Sequence, residues 1–143
     1  MSTILDDHLL RDWMVGPDPQ LEAAIGGEDI VTTNLWYARL YKSAARSAGG
    51  ALLGGWPDAE RRALVAGLVA LPDAVDVVPM RLLAWDMGVL VANHRGLSTL
   101  GAEAVAAARA VDGRLLVSAR DDGPGIRRCC VALGIGYEAV DRP

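Results

Sequence analysis

Several residue types that would help to indicate the fold or the function are scarce in this chain. Among its 143 residues it has no phenylalanine, two histidines and two cysteines, and the cysteines, Cys129 and Cys130, are adjacent. Adjacent cysteines are poorly placed to form a disulfide with each other and lack the spacing of a zinc site. The pair therefore predicts two small apolar side chains in a reducing compartment such as the cytoplasm.

Long apolar runs and an excess of basic residues are also missing. No stretch reaches the roughly 20 residues of a membrane-spanning helix, and the N-terminus lacks the pattern of a signal peptide. A formal net charge of −4 excludes an overall basic surface for nucleic acid, although a local basic groove remains open. The 52% of hydrophobic residues instead predicts one domain over residues 1–143 with its own core.

Short β-prone runs alternate with helical patterns along the chain. The strands are predicted at residues 2–5, 29–31, 75–78, 114–117 and 137–140. Apolar residues with helical spacing fill most of the intervals, apart from a loop rich in Gly and Ala at residues 49–56. This alternation predicts an α/β fold, a three-layer α/β/α sandwich with a central, mostly parallel sheet.

Two carboxylates stand where the first predicted strand meets the first predicted helix. Asp6 and Asp7 follow Leu5 directly, and apolar residues then recur with helical spacing. In an open parallel sheet this joint lies at the carboxyl edge of the strands, where ligand sites form. Because aspartate is also a favoured N-cap, a ligand role and a capping role both remain open.

Further acidic residues flank the strand predicted at residues 114–117. Asp121 and Asp122 follow it, and Glu103 lies on the alanine-rich helix that precedes it. A carboxylate on such an apolar helix is costly unless it is paired, hydrogen-bonded or bound to a metal; alternatively, Glu103 lies on a solvent-facing stripe. Clustered carboxylates suit Mg²⁺ or Mn²⁺, which activate water and polarise phosphoryl oxygens.

Short motifs in both halves of the chain carry a family resemblance. Leu5-Asp6 is followed at a helical interval by Leu9-Leu10, and Arg95-Gly96-Leu97-Ser98 precedes the helix that bears Glu103. Leu115-Leu116-Val117-Ser118 then leads into an acidic loop. In these motifs, and in the order and length of its elements, nearly the whole chain resembles PIN-domain proteins, which are three-layer α/β folds.

The resemblance implies an activity and a set of site residues. PIN domains are commonly Mg²⁺- or Mn²⁺-dependent endoribonucleases, and many are toxins that a small antitoxin protein holds inactive. On this basis Asp6, Glu103 and Asp121 would be the catalytic and metal-binding acids, joined at the metal by Asp122. The partners would be RNA, an antitoxin-like protein and a second copy of the chain.

One departure from the family pattern supports a second interpretation. PIN proteins usually carry a glutamate on the helix after the second strand, whereas residues 32–38 contain no acid. A centre that lacks one ligand is also what we expect of a PIN-like module that binds or regulates without catalysis.

Five side chains near these acids have two interpretations each. Those that could support the ligands are Asp7, His8 and Asn34, whereas Arg39 and Lys42 could contact an RNA backbone. We favour plainer roles for four of them. His8 would be a solvated residue of the first helical turn, Asn34 an N-cap, and Arg39 and Lys42 part of a solvated helix face.

Overall fold

The strands of the computed structural model form one parallel sheet. The structure describes residues 1–46, 54–69 and 71–142, with backbone only at 68 and 69. The strands are β1 (Ser2–Leu5), β2 (Asp29–Thr32), β3 (Val75–Val77), β4 (Arg114–Ser118) and β5 (Tyr137–Val140). Their order in the sheet is β3-β2-β1-β4-β5, and every neighbouring pair is parallel. The predicted strands are confirmed to within one residue at each end.

Helices connect the strands. In the described residues they are α1 (Asp7–Val15), α2 (Pro19–Ile25), α3 (Asn34–Ala45), α4 (Asp58–Val69), α5 (Met80–Asn93), α6 (Thr99–Ala110) and α7 (Pro124–Leu133). None of these helices combines the length and the apolar character that crossing a membrane requires. Residues 49–53 of the predicted loop lie outside the described part of the chain.

Two hydrophobic cores lie on opposite faces of the sheet. Alternate residues of a strand point to opposite faces, so Leu5 packs among the leucines of α1 to α4 while Ile4 packs against α5, α6 and α7. Cys129 and Cys130 are fully buried in the second core and form no disulfide. The fold is therefore a three-layer α/β/α sandwich, as predicted.

The strand order reverses beside β1. The chain builds outward from β1 to β2 and β3, and then returns to place β4 on the other side of β1. Leu5 is in register with Leu116, so the segments that follow β1 and β4 meet at the carboxyl edge of the sheet. In open α/β sheets, ligands bind in the crevice at such a reversal.

The start of α3 differs in detail from the prediction. Thr33 is the N-cap, because its extended backbone lets its hydroxyl accept a hydrogen bond from the Trp36 N–H at 3.2 Å. Asn34 is already the first residue of the helix, so the capping role favoured for it is wrong. Its amide is thereby free to contact residues of other elements.

Candidate metal centre

Asp6 lies between the last residue of β1 and the first residue of α1, and it is completely buried. Its Oδ1 accepts a hydrogen bond from the Leu9 N–H at 2.8 Å, which confirms the N-cap role. Its Oδ2 accepts from the backbone N–H of Ser118 at 2.8 Å and from the Ser118 hydroxyl at 2.7 Å. One carboxylate therefore joins the end of β1 to the end of β4 across the carboxyl edge of the sheet.

Asp7, His8 and Asp121 lie close to one another and to Asp6. The His8 Nδ1 lies 3.1 Å from Asp7 Oδ1 and 3.2 Å from Asp121 Oδ2. Asp7 and His8 are buried, and the Asp121 side chain is 12% exposed. The solvated position favoured for His8 is therefore wrong, because the loop after β4 covers the first turn of α1 with Asp121.

Arg39 of α3 contacts two of these carboxylates. Its Nε lies 3.0 Å from Asp7 Oδ2, and its Nη2 lies 3.6 Å from Asp121 Oδ1. The Nε–H is not directed at the carboxylate, so the buried Oδ2 of Asp7 accepts no hydrogen bond in the described structure. With its side chain 43% exposed, Arg39 extends from this ion pair to the solvent.

The close approach of these groups shifts their protonation. Burial, together with the neighbouring Asp121 carboxyl, raises the pKa of Asp6 from 3.8 to about 7. Hydrogen bonds to Asp121 and Asp7 raise the pKa of His8 to about 9, so the imidazole is charged at neutral pH. Burial also raises the pKa of Asp7. For Asp121 the hydrogen bonds from its neighbours outweigh burial and hold the pKa below the usual range.

Asp6, Asp7, His8 and Asp121 could hold a metal ion. Each offers one ligand atom, and these atoms all lie within 4.8 Å of one another. Within the described ranges, this is the one group of three or more Asp, Glu, His or Cys side chains with that geometry. Carboxylates crowded in this way repel one another unless protons or cations intervene, and here the adjacent cations are His8 and Arg39.

Glu103 is not part of this group. It is completely buried on α6, so it does not lie on a solvent-facing stripe. Its Oε1 accepts from the Leu35 N–H at 2.8 Å, and its Oε2 accepts from the Asn34 N–H at 3.2 Å and the Asn34 side-chain amide at 2.8 Å. Glu103 thus binds the first turn of α3, where the helix dipole favours a negative charge.

Asp122 also faces away from the group. Its Oδ1 accepts from the Tyr137 hydroxyl at 2.7 Å, and its Oδ2 pairs with Arg127 at 2.7 Å. Lys42 lies on the exposed surface of α3, one turn beyond Arg39. Of the residues that the sequence suggested, the structure therefore brings together Asp6, Asp7, His8, Asp121 and Arg39.

Ser118 is the contact that the sequence analysis missed. Its side chain and N–H both bind Asp6, although the two residues are 112 positions apart. The available signal was its position directly after an apolar strand, at an edge to which another strand delivers an acid.

Comparison of the chain with protein-family models and with curated proteins gives no match. The PIN resemblance consequently rests on the short motifs and the order of elements, and membership of that family remains a prediction.

Proposed function

We propose that the chain is a PIN-like, divalent-metal-dependent endoribonuclease whose centre is formed by Asp6, Asp7 and Asp121. One observation carries the proposal: three carboxylates from the segments after β1 and β4 converge where the strand order of the sheet reverses. Crowded carboxylates repel one another, and a bound cation would relieve that repulsion.

The donor atoms fit Mg²⁺ or Mn²⁺. Three carboxylates offer the hard oxygen ligands that these ions prefer, and water would complete the coordination. In the metal-free protein the charged His8 balances the carboxylates, and it would supply a ligand atom only after losing its proton. When bound, such an ion polarises a phosphoryl oxygen and lowers the pKa of the attacking water. Glu103 lies outside this proposed centre because its oxygens bind the start of α3.

Two basic residues of α3 would position the RNA. The half-exposed Arg39 lies at the rim of the centre, where its guanidinium can donate to phosphate oxygens. Lys42 follows three residues later on the same helix and would meet the next part of the backbone. Both contacts are independent of base identity, so they would orient the strand without selecting a sequence.

A second candidate function is a PIN-like module that binds or regulates without catalysis. A specific observation favours it: both oxygens of Asp6 are already hydrogen-bonded, and Asp7 and Asp121 already have His8 and Arg39 as counter-charges. A centre balanced in this way can be stable without an ion.

Adjacent aspartates provide a matched pair of variants for the test. Asp121→Asn removes a carboxylate from the centre, whereas Asp122→Asn changes the next residue, which faces Arg127 and Tyr137. Each variant and the wild type would be incubated with a mixed RNA pool and Mn²⁺, and with EDTA as the metal-free arm. We expect metal-dependent cleavage that falls on the order of 100-fold in Asp121→Asn and stays within about twofold of wild type in Asp122→Asn.

Two results would contradict the nuclease proposal. Equal cleavage by wild type and Asp121→Asn would assign the activity to a contaminant. Absence of cleavage by the wild type with Mn²⁺ would favour the binding module.

The partners and location implied by the resemblance are part of the same proposal. An antitoxin-like protein would hold the enzyme inactive, and the chain would form a homodimer. The enzyme and the antitoxin-like protein would both be located in the cytoplasm. Light scattering of the purified chain measures the molar mass directly, and a monomer at all concentrations would contradict the dimer.

A further inference from the structure

A cleft beside the candidate centre has a lining that the proposed reaction does not use. It has a volume of about 270 Å³ and shares Asp121 with the centre. Its walls come from the first turns of α6 and α7, and Trp36 of α3 completes it. The cleft therefore continues from the carboxylates along the carboxyl edge of the sheet.

The first turn of α7 borders the cleft, with Pro124, Gly125 and Ile126 among the lining residues. The helix is 10 residues long, and its N-cap is Gly123, so no side chain accepts from its first N–H groups. Gly125, in the first turn, packs so closely that an added Cβ would lie 2.5 Å from the Gly96 carbonyl oxygen. The close packing holds the positive end of the helix dipole against the cleft, where it favours an anion.

Trp36 provides an independent sign of a missing ligand. Its side chain lines the cleft and is 1% exposed, yet within the described part of the chain its Nε1–H has no hydrogen-bond partner. A buried indole N–H normally finds an acceptor. An oxygen bound in the cleft would supply one.

Arg128, on the same helix, also lines the cleft and adds a positive charge. Its side chain lies over Gly96, with Nη2 3.6 Å from where a Cβ of that glycine would be. None of the carboxylates in the described ranges forms an ion pair with it, whereas the adjacent Arg127 is paired with Asp122. Arg128 is therefore available to a ligand in a way that Arg127 is not.

We propose that this cleft is a phosphate-binding subsite. The first turn of a helix, Trp36 and Arg128 all line it, and the one acid among its lining residues, Asp121, is compensated by His8 and Arg39. The inference rests on the proposed function and deepens it: the cleft receives a phosphate of the RNA backbone next to the one that is cleaved. A phosphate monoester of a free nucleotide presents the same oxygens, so the test must separate the two sources.

The indole N–H of Trp36 allows a direct measurement. The ¹⁵N-labelled protein, kept in EDTA, would be titrated with inorganic phosphate, uridine 5′-monophosphate and the dinucleotide UpU, with NaCl at matched ionic strength as the blank. We expect a saturable downfield shift of the assigned Trp36 Nε1–H resonance. Arg128→Gln should raise the dissociation constant roughly tenfold, and Arg127→Gln, the matched control, should leave it within about twofold.

The outcomes separate cleanly. Saturation by UpU supports the subsite and assigns it to the RNA backbone, while saturation by the monoester or inorganic phosphate alone supports it as a site for terminal or free phosphate. No saturable shift with any of the three probes would overturn the proposal, as would equal weakening by Arg127→Gln and Arg128→Gln. Because this titration involves no metal and no cleavage, its failure and the failure of the earlier cleavage assay are distinguishable. Failure here leaves the nuclease proposal standing, whereas absence of cleavage would overturn the position of the subsite beside a cleaved phosphate.

Discussion

Ionisation of Asp6 is coupled to the stability of the fold, because its carboxyl is buried. Its pKa rises from 3.8 to about 7 in the metal-free protein, so the folded state holds a proton that the unfolded state has lost. The resulting stability is complete below pH 3.8 and is lost as the pH rises to about 7. Between pH 5 and pH 8 the loss covers some two pKa units, or about 2–3 kcal/mol.

The variant Asp6→Asn removes this ionisation and also removes one hydrogen-bond acceptor. An amide has a single acceptor oxygen, whereas Leu9 and Ser118 each direct a backbone N–H at the carboxylate. One buried N–H is left without an acceptor, which costs about 1–3 kcal/mol. We therefore expect the variant to be less stable than wild type at pH 5 and comparable to it at pH 8.

Urea unfolding of both proteins in EDTA at pH 5 and pH 8 tests this expectation. The quantity to compare is the difference between the two proteins, since wild type and variant both lose the stabilising charge of His8 as the pH rises towards about 9. That difference should change by about 2–3 kcal/mol between the two pH values. A change below about 0.5 kcal/mol would refute the reasoning, because it would mean that Asp6 is already ionised at pH 5.

Three further predictions concern other groups. Glu103→Gln should lower the free energy of unfolding by about 2–3 kcal/mol, since an amide has an acceptor oxygen at only one of the two positions that the carboxylate oxygens occupy. RNA cleavage per folded molecule should stay unchanged. Urea unfolding checks the first part and the RNA assay checks the second. Arg39→Gln should tighten Mn²⁺ binding roughly tenfold in calorimetric titration, because it removes the cation paired with Asp7; weaker binding would contradict this. Cys129 and Cys130 should resist iodoacetamide until urea is added, because burial raises the pKa of both thiols, that of Cys130 to about 12. Alkylation of either thiol in the native protein, detected by mass spectrometry, would contradict this prediction.

The strands were predictable because each is a short β-prone run with a clear boundary. Residues 2–5 end in aspartates, residues 114–117 follow Asp112-Gly113, and residues 137–140 follow Gly136. A parallel sheet with helices on both faces then follows from the alternation of strands and helices. The N-cap of α3 was harder, since Thr33 and Asn34 are both good caps and one residue of helix decides between them.

The location of the candidate centre was predictable, but its composition was not. The joint after β1 was identified from Asp6 and Asp7, and the loop after β4 from Asp121. The sequence could not choose between Asp121 and Asp122, because the backbone turn after β4 decides which carboxylate points to α1. It also could not show that this loop covers His8, a contact that spans 113 positions.

Two completely buried carboxylates, Asp6 and Glu103, differ in what surrounds them. Glu103 faces only donors, from Asn34 and Leu35, so its charge is satisfied within the fold. Asp6 also receives hydrogen bonds, but burial and, after it, the neighbouring Asp121 carboxyl raise its pKa. His8 and Arg39 lie beside these carboxylates and supply the positive charge there. A divalent ion would replace the proton on Asp6 and relieve the repulsion among the carboxylates, so of these two buried sites this group, rather than Glu103, is where such an ion would be stabilised.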